Sequence, residues 1–158
     1  MRRLVSPLFT ISMAMLVSVA LVHAAATYND TLSGSQTASG ESGSIALNLN
    51  ASGDLPGILS LSISHEAGNV SGGTWTLTVL PPNADATSSD SGSLTGSLSG
   101  GTLTLDSNGI VTAANSVQLT VQSGTGQYAA VTGGSGTLSL AADPENSTKL
   151  IGPLTCNF

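Results

Sequence analysis

The chain reads as an all-β protein, a small antiparallel barrel of about eight strands, with a β-sandwich as the alternative. Three observations carry that expectation. Apolar and small polar residues alternate with a period of two, turn-forming clusters separate the alternating runs, and no convincing run at helical spacing occurs after residue 26. The 158 residues include 25 serines, 18 threonines and 19 glycines, against only 8% charged and 3% aromatic side chains. A hydrophobic fraction of 40% is still enough for a core, so this is not the composition of a disordered tail.

Residues 1–26 form a separate object. Arg2 and Arg3 precede an uncharged, mostly apolar stretch from Leu4 to Val22, and Ala24-Ala25-Ala26 follows. This is the layout of a secretory signal peptide, so the expected organisation is a leader over 1–26 and a single all-β domain over 27–158. The expected location is outside the cytoplasm, secreted or periplasmic. Removing the leader takes all three Met, both Arg, His23 and Phe9 with it. The remaining domain has one cation, Lys149, against nine carboxylates, a formal charge of −8. Such a surface repels phosphate backbones and anionic lipid headgroups, which argues against nucleic acid as a partner and against stable membrane insertion after cleavage.

The strands follow in order. Thr27 to Gly43 has a single large aliphatic residue, Leu32, and reads as a short strand followed by a loop. Ile45, Leu47 and Leu49 share one face. Leu59, Leu61 and Ile63 alternate with serines, and Trp75, Leu77 and Val79 alternate with threonines. Pro81 to Asp90 has two prolines and no large apolar residue, and is expected to be a loop overhanging one barrel end. Leu94 with Leu98, Leu103 with Leu105, Val117 with Leu119 and Val121, and Leu138 with Leu140 continue the pattern. The last segment reads Leu150, Gly152, Leu154, Cys156, Phe158. Asn108-Gly109 is the strongest hairpin signal. Gly96 and Gly136 fall inside strands, where a glycine usually marks a bulge or bend. Cys156 has no partner in the chain and is expected to be buried as a small hydrophobe.

Few residues are equipped for chemistry. His65 is the only imidazole outside the leader, which excludes two-histidine metal sites within one chain. It ends the Leu59, Leu61, Ile63 face, so it is expected at the rim of the core, with Glu66 on the other face. Asp85, Asp90, Asp106 and Asn108 offer oxygen ligands, but Asp106-x-Asn108-Gly109 lacks the rest of a calcium loop and reads as a plain turn. No metal or cofactor is expected. Gly124-x-Gly126 has no Lys nearby and no helix after it, so it is not a phosphate cradle. A terminal Phe158 on an alternating segment is also seen in outer-membrane barrels, but four aromatics cannot form the girdles those barrels need.

The stretch from Gly124 through Gly126, Tyr128, Gly133 and Gly136 to Leu138 resembles the Gly-Thr-Gly-x-aromatic signature of the allene oxide cyclase and dirigent barrels. The resemblance implies eight strands around an apolar cavity, and among the enzymes of that type a hydrophobic substrate. Read physically, Gly124 and Gly126 make a tight corner and Tyr128 plugs one barrel end. None of the family's functional residues can be placed on this chain.

The expected function is an exported, non-catalytic barrel that binds an apolar small molecule or serves as a surface structural module. His65, Trp75 and Tyr128 are the candidate ligand-contacting residues in a cavity or at its mouth. The alternatives are a cyclase-type enzyme assisted by His65 or Tyr128, which an apolar cavity containing His65 would favour, and an adhesive or structural subunit, which a filled interior would favour.

Overall fold

The computed structural model describes residues 25–40, 43–81 and 91–158, with only the backbone at 39 and 40. The expected leader therefore lies almost wholly outside the described residues, as do positions 82–90 of the expected overhanging loop. The described residues form nine strands: β1 (Thr27–Gly40), β2 (Ser44–Gly53), β3 (Gly57–Glu66), β4 (Asn69–Val79), β5 (Gly92–Ser99), β6 (Thr102–Leu105), β7 (Val111–Gly126), β8 (Gly134–Ala142) and β9 (Leu150–Asn157). No helix occurs among the described residues.

Every pairing is antiparallel, and the neighbours run β1-β2-β3-β4-β5-β7-β8-β9. The pairing of β9 with β1, which sets Cys156 opposite Tyr28 and Leu154 opposite Asp30, closes the ring. The result is an eight-stranded up-and-down barrel, not a sandwich. Closure leaves none of these eight strands with a free edge.

The alternation in the sequence becomes an inside and an outside. On β3, Gly57, Leu59, Leu61 and Ile63 are buried while Ile58, Ser60, Ser62 and Ser64 are exposed. The register across β2, β3 and β4 keeps Leu49, Leu59 and Leu77 in one inward row, and Leu47, Leu61 and Trp75 in the next. A barrel of eight strands is just wide enough for such side chains to fill. Leu32, Leu59, Leu77, Leu94, Val117 and Leu138 are 0% exposed, so water touches them neither from outside nor from within. Around them the interior is packed.

Three features differ from the expectation. Thr27–Gly40 is one continuous strand of 14 residues rather than a short strand and a loop. Its inward positions carry Tyr28, Asp30, Leu32, Gly34 and Gln36, so only one of them looks like core in the sequence. Gln36 crosses to the β6–β7 hairpin, where its Nε2 donates to the Gly109 carbonyl (3.2 Å) and its Oε1 accepts from the Val111 N–H (2.9 Å). Second, Leu103 and Leu105 lie on β6, which stands outside the ring. It pairs with the first part of β7 and touches β4 only at Asn69 and Thr102. Third, Gly136 marks no bulge. A Cβ there would lie 3.0 Å from Cys156 Sγ, so the missing side chain makes room for a buried thiol.

Gly96 does sit at a bulge, between Thr95 and Gly96 in the β5–β7 pairing. The indole of Trp75 occupies the space above it: a Cβ on Gly96 would be 2.7 Å from Trp75 Nε1. Asp106 closes the Asn108-Gly109 hairpin as expected, its Oδ1 accepting from the N–H groups of Asn108 (2.8 Å) and Ile110 (2.9 Å). These two bonds hold its carboxyl below the usual carboxylate range.

Candidate functional site

The up-and-down order sorts the chain between two barrel ends. At one end β1, β3, β5 and β8 begin and β2, β4, β7 and β9 finish. Asp30, Asp54, Tyr28, Tyr128, Cys156 and Phe158 collect there. The other end holds His65, the β6 hairpins and the turn that carries Lys149.

The first end is built by the meeting of β1 and β9. Ala26 and Phe158 exchange backbone hydrogen bonds of 3.0 and 3.2 Å just beyond the paired Thr27 and Asn157. This brings the Tyr28 and Phe158 rings into a stack, with centroids 4.6 Å apart and planes 15° apart. Tyr128 arrives from the β7–β8 turn, which is closed by Tyr128 N–H to the Thr125 carbonyl (3.0 Å) and Val131 N–H to the Tyr128 carbonyl (2.8 Å). Its ring meets Phe158 edge-on, with centroids 6.3 Å apart and planes at 87°. Both geometries suit the quadrupoles of the rings. All three rings are half-buried, so they cover the barrel end and remain open to water.

Asp30 points inward at this end and is the one buried charged or polar residue among those described, at 5% exposure. Its Oδ1 accepts the Leu55 N–H at 2.9 Å, which anchors the β2–β3 loop. The neighbouring Asn29 and Asp54 clamp the same loop reciprocally: Asn29 N–H donates to Asp54 Oδ2 (2.8 Å), and Asp54 N–H donates to the Asn29 carbonyl (3.2 Å). Asp30 Oδ2 is buried with no hydrogen-bond partner. Burial raises the Asp30 carboxyl above the usual range, the Leu55 N–H opposes the shift, and the charge of Asp54 adds to it. Burial also pushes the Cys156 thiol up to about 11, with Asp30 contributing, and raises the Tyr128 phenol, with Tyr28 and Asp30 contributing.

The three residues expected to contact a ligand are not brought together. Tyr128 does plug one end. Trp75 lies within the barrel at 2% exposure, its Nε1 unpartnered above Gly96. His65 is at the opposite end, where a bulge between Ser64 and His65 turns the strand and its backbone N–H donates to the Gly43 carbonyl (2.7 Å). Half-buried at the end of β3, the imidazole has its Nδ1 buried without a partner. The reading of the residues missed Tyr28, Asp30 and Phe158 as one group. The signal was present in part, since Tyr28, Asp30 and Leu32 alternate as Leu154, Cys156 and Phe158 do, but only closure of the ring makes the two segments neighbours.

No family model matches the chain, and no curated protein or solved structure matches it.

Proposed function

We propose that the protein is an exported, non-catalytic binding module: a filled barrel that presents one aromatic mouth to an apolar small molecule. The observation that carries this reading is the placement of the aromatics. Three of the four in residues 25–158 gather as half-buried rings at one end of a body whose strands turn mainly serine and threonine outward. Rings that stay open to water at a barrel mouth offer apolar contact area with little loss of side-chain freedom.

The packed rows around Leu59, Leu77 and Leu138 favour a ligand position at the mouth over one in the depth of the barrel. The same packing weighs against a cyclase-type enzyme, as does the separation of His65 from Tyr128. Kinship with the allene oxide cyclase and dirigent barrels rests on Gly124 to Leu138 and on eight-strand closure, and no relative supports it. The hydroxyl-rich exterior, with apolar residues turned inward, is the inverse of a transmembrane barrel and supports a body surrounded by water. Export itself rests on the leader-like residues 1–26.

A second reading, a surface structural module, draws on the filled interior. Association through a strand edge is less favoured, because among the described residues closure leaves only the four-residue β6 partly unpaired. Native mass spectrometry of the protein purified from its own host separates the two readings. A co-purifying apolar molecule supports binding, whereas a bare protein from several growth conditions supports the structural module.

A further inference from the structure

At the aromatic mouth the Asp30 carboxyl has no positively charged side chain beside it among the described residues. Asp30 Oδ1 is used by the Leu55 N–H, and Asp30 Oδ2 is buried without a partner. A buried carboxylate oxygen left unpaired is costly, and such groups in native proteins are normally satisfied by protein, water or a ligand. An asparagine at this position would give Leu55 the same acceptor without a charge. Among the described residues the titratable side chains at this end, besides Asp30, are Asp54, Tyr28, Tyr128 and Cys156, and none of them is a cationic type. Lys149, the one Lys or Arg among the described residues, belongs to the β8–β9 turn at the opposite end, and His65 is at that end too.

We propose that the mouth binds an amphiphile made of an apolar chain and one protonated amine, with the chain against Tyr28, Tyr128 and Phe158 and the ammonium on Asp30 Oδ2. This rests on the binding reading above and names the class of ligand. An ammonium fits on three counts. It donates hydrogen bonds to a carboxylate oxygen that has none, it neutralises a charge held in an apolar setting, and it is attracted by the faces of aromatic rings. A neutral hydroxyl headgroup would supply only the first. A carboxylate headgroup would meet Asp30 and Asp54 and be repelled. Because Oδ2 is buried, the amine must displace the side chains that cover it, and the ligand's chain restores apolar contact.

Isothermal titration of the exported protein at pH 7 with decylamine, decanol and decanoate, below their micellar concentrations, tests the assignment. Decylamine should bind at least tenfold more tightly than decanol, and decanoate more weakly than either. In D30N the advantage of the amine over the alcohol should disappear. E66Q removes the same charge from the far end and should keep the preference, which separates a specific contact from general attraction to an acidic protein. Equal affinity for amine and alcohol in the unmodified protein, a comparison that needs no variant to fold, would overturn the inference and leave the aromatic mouth standing. A preference that survives in D30N would overturn it likewise. Binding of none of the three would remove both.

Discussion

Asp30 Oδ1 accepts a 2.9 Å hydrogen bond from the backbone N–H of Leu55, 25 residues away, and thereby fixes the β2–β3 loop to the first strand of the barrel. That bond holds a carboxyl where burial favours its neutral form.

The consequence is a pH dependence of known sign. Because the folded-state value lies above the ordinary 3.8, the neutral carboxyl's contribution is complete below that value and is lost as pH rises through the raised one. Asp30→Asn keeps an acceptor for Leu55 and carries no charge. Its melting temperature should exceed that of the unmodified protein at pH 7, and the gap should close as pH falls below 3.8. Thermal melts between pH 3 and pH 7 read this directly. A gap that does not change with pH would show that Asp30 is charged at no cost.

The packing at Gly96 gives a steric prediction. A Cβ there would lie 1.8 Å from the Thr120 carbonyl oxygen as well as 2.7 Å from Trp75 Nε1, and the carbonyl belongs to the paired strand and cannot swing away. Gly96→Ala should cost about 3 kcal/mol and shift the fluorescence of Trp75, measured by denaturant unfolding. A variant as stable as the parent would contradict the close approach.

Inside and outside can be tested on adjacent residues. Leu59 is 0% exposed and Ser60 faces water. Leu59→Ala should lose about 2–5 kcal/mol, while Ser60→Ala should stay within about 0.5 kcal/mol of the parent. Comparable losses at both positions would mean that the register of β3 is wrong, since a slip of one residue exchanges the two faces.

Cys156 should be inert while the barrel is folded. It is 1% exposed and its thiol is pushed up to about 11, so at pH 8 only about one molecule in a thousand carries the reactive thiolate. Labelling with a thiol-reactive disulfide should be far slower in buffer than in denaturant. Equal rates would place Cys156 at the surface.

Much of this fold is written in simple alternation. The runs around Leu47, Leu59, Leu77, Leu94, Leu119 and Leu138 form strands because every second side chain is aliphatic and its neighbour is a hydroxyl, and the Asn108-Gly109 turn is closed by Asp106 as its composition suggests. β1 was hidden because its inward face spends its positions on Tyr28, Asp30, Gly34 and Gln36, which serve the two barrel ends instead of the core. β6 reads as a barrel strand because Leu103 and Leu105 continue the alternation, but it stands outside the ring against the first part of β7. Of the mouth only Tyr128 was legible. Tyr28 and Phe158 are 130 residues apart, and a pattern with period two does not say which strand closes on which.

The proposed ligand position is the aromatic mouth, not the His65 end or the packed interior. Chemical-shift mapping of the folded protein during titration with decanol tests it most directly. Saturable shifts should concentrate at Tyr28, Gly92, Tyr128 and Phe158, with Ile45, His65 and Val70 unmoved. Shifts centred on His65 and Val70, or none at any residue, would contradict it.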